Sequence, residues 1–379
     1  MDKFADIRPY QDHEIRSVLD KLITNPEFLS SIATFYFPHL TRMFPRLMTS
    51  AARRKLQKQL KLVCNVKTMQ DVIAIYMDKM ILDTTTKLTH SGLENLAEDR
   101  GYLFISNHRD ITMDPAFVNY ILYHAGYETL QIAIGDNLLK KPFVTDLMRL
   151  NKSFIVKRSL KGRELLKSLN LLSQYIHHCI NNEHNVWIAQ REGRAKDGID
   201  KTDPTLLKML AMGNRELSLG NSLKELRIVP VAISYEYDAC DELKAEELYT
   251  LEQTGSFMKT DRSDIHSIVT GMIGFKGQVD VAFGSALYIT DDDPDEIAAE
   301  IDRQILQNYK LHDINFLAVK RLEQEGLISL NRFGNRIAER EISDVSQEKF
   351  EKRLNAIDPS LHRHFLFSYA NPVITKYKT

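Results

Sequence analysis

The sequence predicts an α/β layered domain with helical regions at both ends, and three observations predict it. From about residue 86, short β-rich runs alternate with amphipathic stretches, the pattern of strands and helices stacked in layers. Before that point apolar residues recur at helical spacing, and after about residue 290 the chain again reads mainly as helix. The 379 residues, 43% hydrophobic and 27% charged, are globular in composition and exceed an ordinary single domain, so a core with appended units is expected. The expected division is 1–85 for an N-terminal helical region, 86–290 for the α/β domain and 291–379 for a C-terminal helical region.

In the first region Ile15, Val18, Leu19, Leu22 and Ile23 share one helical face, and a second periodic run covers Leu60–Leu82. Between them stands FLSSIATFYFPHLTRMFPRLM, followed by Arg53, Arg54, Lys55, Lys58 and Lys61. Aromatic, apolar and cationic residues so mixed suit a membrane interface. Pro38 and Pro45 break the stretch, and packing against the main domain suits it equally.

The α/β region supplies the runs YLFIS, TLQIAI, SFIVK, NVWIA, IVPVAIS and VDVAFG, with helical stretches at 160–182 and 203–218 between them. The last region opens on DDDPDEIAAEIDRQIL. Its acids and proline read as a helix start satisfied by capping and the macrodipole rather than as a metal cluster.

Composition narrows the function. A net charge of −1 excludes chain-wide attraction to nucleic acid, so any anion site is local. Three cysteines, Cys64, Cys179 and Cys240, have no C-x-x-C spacing and point to a reducing cytoplasm. The start MDKFADIRPYQDHEIRSVLD lacks a signal peptide, and no apolar run approaches the roughly 20 residues of a spanning helix. The expected location is therefore cytoplasmic, peripheral on the inner face of the membrane.

The chemistry starts at FISNHRDITMDP, residues 104–115. His108 follows a strand-like run, where α/β sheets hand over to loops that carry reactive groups. As a general base it needs a carboxylate on its other ring nitrogen, and Asp110 and Asp114 are the local candidates. In one continuous helix His108 and Asp114 would lie about 240° apart, so their pairing requires a loop-to-helix corner. Pro115 and AFVNYILYH supply that corner, and equally make Asp114 a candidate helix cap.

Two further stretches bear on anions. Residues 140–163 carry Lys140, Lys141, Arg149, Lys152, Lys157, Arg158, Lys161 and Arg163 against one acid, Asp146; they suit a phosphate or a solvated basic face. VWIAQREGRAKDG brings a strand into Arg191-Glu192-Gly193-Arg194, where glycine permits close backbone approach and arginine can fork onto phosphate; a solvated turn fits that tetrapeptide too.

In order, NHRDITMD, SFIVKR, REGR and IVPVAISYE resemble the four sequence blocks of the glycerolipid acyltransferases, the glycerol-3-phosphate and 1-acylglycerol-3-phosphate acyltransferase superfamily, over roughly residues 90–290. The resemblance implies a glycerol-3-phosphate acyltransferase-like layered domain with a mixed β-sheet flanked by helices. It implies transfer of a fatty acyl group from acyl-CoA or acyl-carrier protein to a hydroxyl of glycerol 3-phosphate or lysophosphatidate, at a membrane surface, with no metal, cofactor or nucleic acid. His108 would take the acceptor's proton, Asp114 would hold His108, and Phe154, Lys157, Arg158, Glu192, Gly193 and Arg194 match the blocks that bind the phosphate-bearing acceptor. Pro230 falls in the fourth block, beside the acyl site. The family places four residues between its His and Asp and this chain has five, which looks like a bacterial branch. Asp110 is the alternative partner. Other readings are a phospholipid- or phosphate-binding protein that keeps the fold without catalysis, and a hydrolase, though no G-x-S-x-G elbow is present.

Overall fold

All six strand-like runs form strands of one seven-stranded sheet in the computed structural model, which describes residues 2–258, 261–329 and 341–378. The strands are β1 (Thr85–Ser91), β2 (Leu103–Ser106), β3 (Gln131–Gly135), β4 (Ser153–Val156), β5 (Val186–Ala189), β6 (Ile228–Tyr235) and β7 (Gly277–Phe283), in the order β1-β7-β6-β2-β5-β3-β4. The five strands from β6 to the β4 edge are parallel; β7 runs antiparallel to β6, and β1 parallel to β7. The sheet is therefore mixed.

β1 was not legible as a strand. TTKLTHS has one large apolar residue, Leu88, and lies largely open at the sheet edge, where no buried face imposes alternation. Pro230 sits inside β6, and its carbonyl accepts from Gly284 N at 2.8 Å just beyond the end of β7. The donor that proline lacks falls on that same side, past the β6–β7 ladder, so the ladder loses nothing there.

The N-terminal region is helical: α1 (Asp12–Leu22), α2 (Pro26–Tyr36), α3 (Pro38–Met43), α4 (Pro45–Gln59) and α5 (Val66–Thr84), which runs directly into β1. Proline stands at the first helical position of α2, α3 and α4, where its missing N–H costs nothing. Ile15, Leu19, Phe28, Leu56 and Met69 form a core of their own.

Side-chain alternation along the strands feeds two further cores. Phe104 faces α6 (Met113–His124), where Phe117, Val118 and Leu122 are buried. α7 (Pro142–Leu150) instead turns Phe143 and Leu150 into the N-terminal core. Leu103 and Ile105 face α8 (Gly162–Asn181), α9 (Pro204–Ala211) and α10 (Leu219–Lys224). The helix expected over 203–218 ends at Ala211. Gly213 then lies so close to α8 that a Cβ there would be 2.7 Å from Gln174 N, and Ser218 caps a new helix.

α11 (Asp241–Thr254) and α12 (Asp261–Ile273) are inserted between β6 and β7. α13 (Pro294–Asn308), beyond residue 290, shares the sheet's own core through Ile297, Ile301 and Ile305. Asp293 caps it, accepting from Asp295 N at 2.9 Å. Among the described residues no group of three or more His, Cys, Asp or Glu is placed to hold a metal. α14 (Asp313–Gln324) and the helices Asp344–Asn355 and His362–Tyr377 form a separate core around Phe316, Phe350 and Phe365. Among the described residues no helix is long and apolar enough to cross a membrane.

Candidate active site

Where β2 ends, Asn107 continues its ladder with a side chain: its amide accepts from Ile233 N at 2.8 Å and donates to Ile233 O at 3.0 Å. The loop that follows is held from several directions. The His108 carbonyl accepts from Ala195 N at 2.8 Å. Arg109 turns inward, donates to Asp200 at 2.7 Å and Gly198 O at 3.1 Å, and lies 5.6 Å from the centre of the Tyr309 ring. Its own carbonyl accepts from the buried Lys244 ammonium at 2.7 Å.

The two candidate aspartates divide the work. Asp110 Oδ1 accepts from Thr112 N and Met113 N, both at 2.9 Å, and so caps the entry to α6. Asp114, fully buried in the first turn of that helix, accepts His108 Nδ1 at 2.8 Å on Oδ2. The same oxygen takes Arg109 N at 2.6 Å and Asp110 N at 3.0 Å, and Oδ1 takes the Tyr235 hydroxyl at 2.7 Å. The five residues between His108 and Asp114 turn the corner into α6, and the pair meets across it. Burial, then the neighbouring Asp114 charge, pushes the Asp110 carboxyl above its ordinary value of 3.8. Burial, then Asp114, raises the Tyr235 phenol well above 10.

His108 keeps 14% of its side chain exposed and packs edge-on against Trp187, with ring centres 5.8 Å apart. With Nδ1 on Asp114, Nε2 is the nitrogen left for chemistry. His108 lines a cavity of about 2090 Å³. Phe28, Leu56, Met69, Ile73 and Met272 of the N-terminal helices and α12 give that cavity an apolar wall, while Lys157, Arg158, Arg191 and Arg194 give it a cationic one. An imidazole, four cationic side chains and an apolar wall therefore share one space.

Five of the six residues expected to bind substrate line that cavity: Lys157, Arg158, Glu192, Gly193 and Arg194. Arg158 and Glu192 pair at 3.3 Å. Gly193 adopts φ +78, a conformation that favours glycine. Arg194 has a buried Nη1 with no hydrogen-bond partner among the described residues, a donor left for an anion. Phe154 is not brought to the cavity: it is fully buried against Tyr175 of α8, ring centres 5.3 Å apart, because strand alternation turns it into the core.

The basic stretch 140–163 does not act as a unit. Arg149 donates to the carbonyls of Arg8 at 2.8 Å and Ala5 at 2.7 Å and stacks on Tyr10. Lys152 is buried on the Thr129 carbonyl and on its hydroxyl at 2.9 Å, and Lys141 pairs with Glu27. Pro230 is buried within β6 and is absent from the cavity wall.

Sequence reasoning missed Tyr235, Lys244 and Tyr309. Tyr235 stands inside the fourth block, in SYE, but nothing local signals a partner 121 positions away.

Residues 87–234 match the model of the Acyltransferase family. The chain is 25% identical over 245 residues to a glycerol-3-phosphate acyltransferase of Pseudomonas syringae pv. syringae (strain B728a), covering 63% of this chain and 28% of that one. It is 27% identical over 207 residues to one of Pseudomonas fluorescens (strain Pf0-1), covering 54% and 23%. The chain thus spans about a quarter of the length of these relatives. Among solved structures it resembles the 1-acyl-sn-glycerophosphate (LPA) acyltransferase PlsC from Thermotoga maritima at 15% identity, with 77% of this chain and 97% of that chain covered and a TM-score of 0.34, too distant a likeness to argue from.

Proposed function

We propose, from the match of residues 87–234 to the Acyltransferase family and the likeness to glycerol-3-phosphate acyltransferases, that the chain is a glycerolipid acyltransferase that moves a fatty acyl group from acyl-CoA or acyl-carrier protein to a hydroxyl of glycerol 3-phosphate or lysophosphatidate. The observation that carries this reading is the His108 Nδ1 to Asp114 contact at 2.8 Å in the wall of a cavity that is apolar on one side and cationic on another.

In this reading His108 Nε2 takes the proton of the acceptor hydroxyl, and Asp114 holds the imidazole tautomer and supports the imidazolium. The alkoxide oxygen forms a bond to the thioester carbonyl carbon, the oxyanion collapses, and the carbon–sulfur bond breaks. The proton on His108 passes to the leaving thiolate. Lys157, Arg158 and Arg194 receive the phosphate, with the Arg158–Glu192 pair opening to admit it. The apolar wall takes the acyl chain, and no metal or cofactor enters any step.

The site would work at the inner face of the cytoplasmic membrane, which the α3–α4 surface suits. Met43 is 70% and Leu47 64% exposed, beside exposed Arg53, Arg54 and Lys58.

Purified protein incubated with labelled acyl-CoA or acyl-carrier protein and each acceptor should form the acylated product. His108→Ala should lower turnover at least about a thousandfold while melting as the wild type does. Undiminished turnover in that variant would sink the assignment, and phospholipid binding without acyl product from any donor would favour the non-catalytic reading.

A further inference from the structure

Asp114 Oδ2 already serves His108 and two backbone N–H groups, so the carboxylate's other oxygen depends on a single donor, the Tyr235 hydroxyl at 2.7 Å. Tyr235 is the last residue of β6, buried in the core that α6 covers, its ring centre 6.0 Å from that of Phe117. It pairs with Val279 of β7 across the ladder. The strand thereby fixes where the hydroxyl stands, and the hydroxyl fixes one corner of Asp114.

We propose that Tyr235 is a positioning residue of the acyl-transfer site: its hydroxyl locks the Asp114 carboxylate in the plane that His108 Nδ1–H needs and tempers that carboxylate's basicity. This rests on the acyl-transfer reading above. A carboxylate that receives four donors is held in one orientation and shares its charge among them. Without the phenol, Oδ1 is a buried acceptor with no partner. Negative charge then concentrates toward Oδ2, the imidazolium gains stability, and His108 holds its proton to higher pH.

Other ionisable groups surround this pair, and Lys157, Arg158, Arg191, Glu192, Arg194 and Lys196 share the cavity wall with His108. Asp110 and Arg109 come from the loop, Asp238 from beyond β6, Lys244 from α11, Lys276 from before β7 and Tyr309 from beyond α13. Asp238 is held by Lys244, Arg109 by Asp200, and Lys276 by the Gly274 carbonyl at 2.7 Å. None of the contacts described for these groups donates to Asp114 Oδ1, so none substitutes for the phenol.

The test is Tyr235→Phe, which removes one oxygen. Expected are a fall in kcat of about tenfold, a KM within about twofold of wild type, and an acid limb of the pH profile moved upward. The His108 imidazole titration, followed by NMR and identified by the signal that disappears in His108→Ala, should move up by roughly half a pH unit. That readout needs no turnover: an unchanged His108 midpoint overturns the proposal even if the protein transfers no acyl group, and a wild type inactive with every donor counts against the function reading alone. Should Tyr235→Phe fail to fold, a fluorotyrosine at position 235, a stronger donor of the same shape, should move the midpoint down. No movement there overturns the proposal as well.

Discussion

Asp110 and Asp114 are two buried carboxylates in one turn, and the imidazole touches only the second. Asp110 caps through Oδ1, a task that an amide oxygen performs as well. Because burial and Asp114 raise its folded pKa above 3.8, the folded state keeps that proton at pH values where the unfolded chain has released it. Ionised Asp110 therefore costs stability that grows as pH rises from the ordinary carboxylate range. Asp110→Asn should melt near the wild type at about pH 4 and above it at pH 7, with acyl transfer retained; melts across that range and a turnover assay check it. Asp114→Asn should lose about a thousandfold or more in turnover, and comparable activity in the two variants would defeat this division of labour. At this scale the sequence was legible where chemistry is local: His108, Asp114 and the Glu192–Arg194 turn lie where their motifs put them. It was not legible where a side chain's task is set by a distant backbone. Charge alone does not reveal that Arg149 and Lys152 serve carbonyls at Ala5 and Thr129, nor does the Phe154 neighbourhood reveal that its ring turns into the core.

Among the elements, the buried strands were readable because a run of apolar residues is required wherever a strand is covered. Edge strand β1 escaped for want of that requirement, and the helix over 203–218 was overdrawn because its periodicity hid the close approach at Gly213. α12 gives a sharper case. It lines the cavity with Ile268 and Met272, and its Gly271 lies against the loop that carries His108, where an added Cβ would stand 2.1 Å from Asp110 Oδ2. Gly271→Ala should push α12 and the loop apart. The expected outcome is a fall in kcat/KM of about tenfold with a loss of about 1–2 kcal/mol in stability, read by steady-state kinetics and thermal melts; unchanged kinetics would show that the helix and loop move independently.

For the whole molecule, the N-terminal helices both wall the cavity and show apolar side chains outward at Leu40, Met43, Phe44 and Leu47. The sequence left open whether this segment packs or meets lipid, and the faces of α4 differ: Ala52 and Leu56 are buried while Leu47 and Arg53 are exposed. Binding to vesicles containing anionic phospholipid should exceed binding to zwitterionic ones and weaken as salt rises, at about 1 kcal/mol per engaged cation. Met43→Glu with Leu47→Glu should cut co-sedimentation about tenfold without altering the melt. Equal retention on both vesicle types would refute a lipid-facing role for this surface. The loop behind the site leans on the far end of the chain: Asn371 donates to the Asp197 carbonyl at 2.7 Å, and a Cβ on Gly198 would strike Ser368 O at 2.1 Å. Exchanging segments between relatives must respect that architecture. A transplant of residues 87–234, the stretch that matches the family, would carry His108 and Asp114 to a new host yet stop one residue short of Tyr235 and leave Lys244, Tyr309 and Asn371 behind. Chimeras joined at those borders should inherit the motif without its foundations.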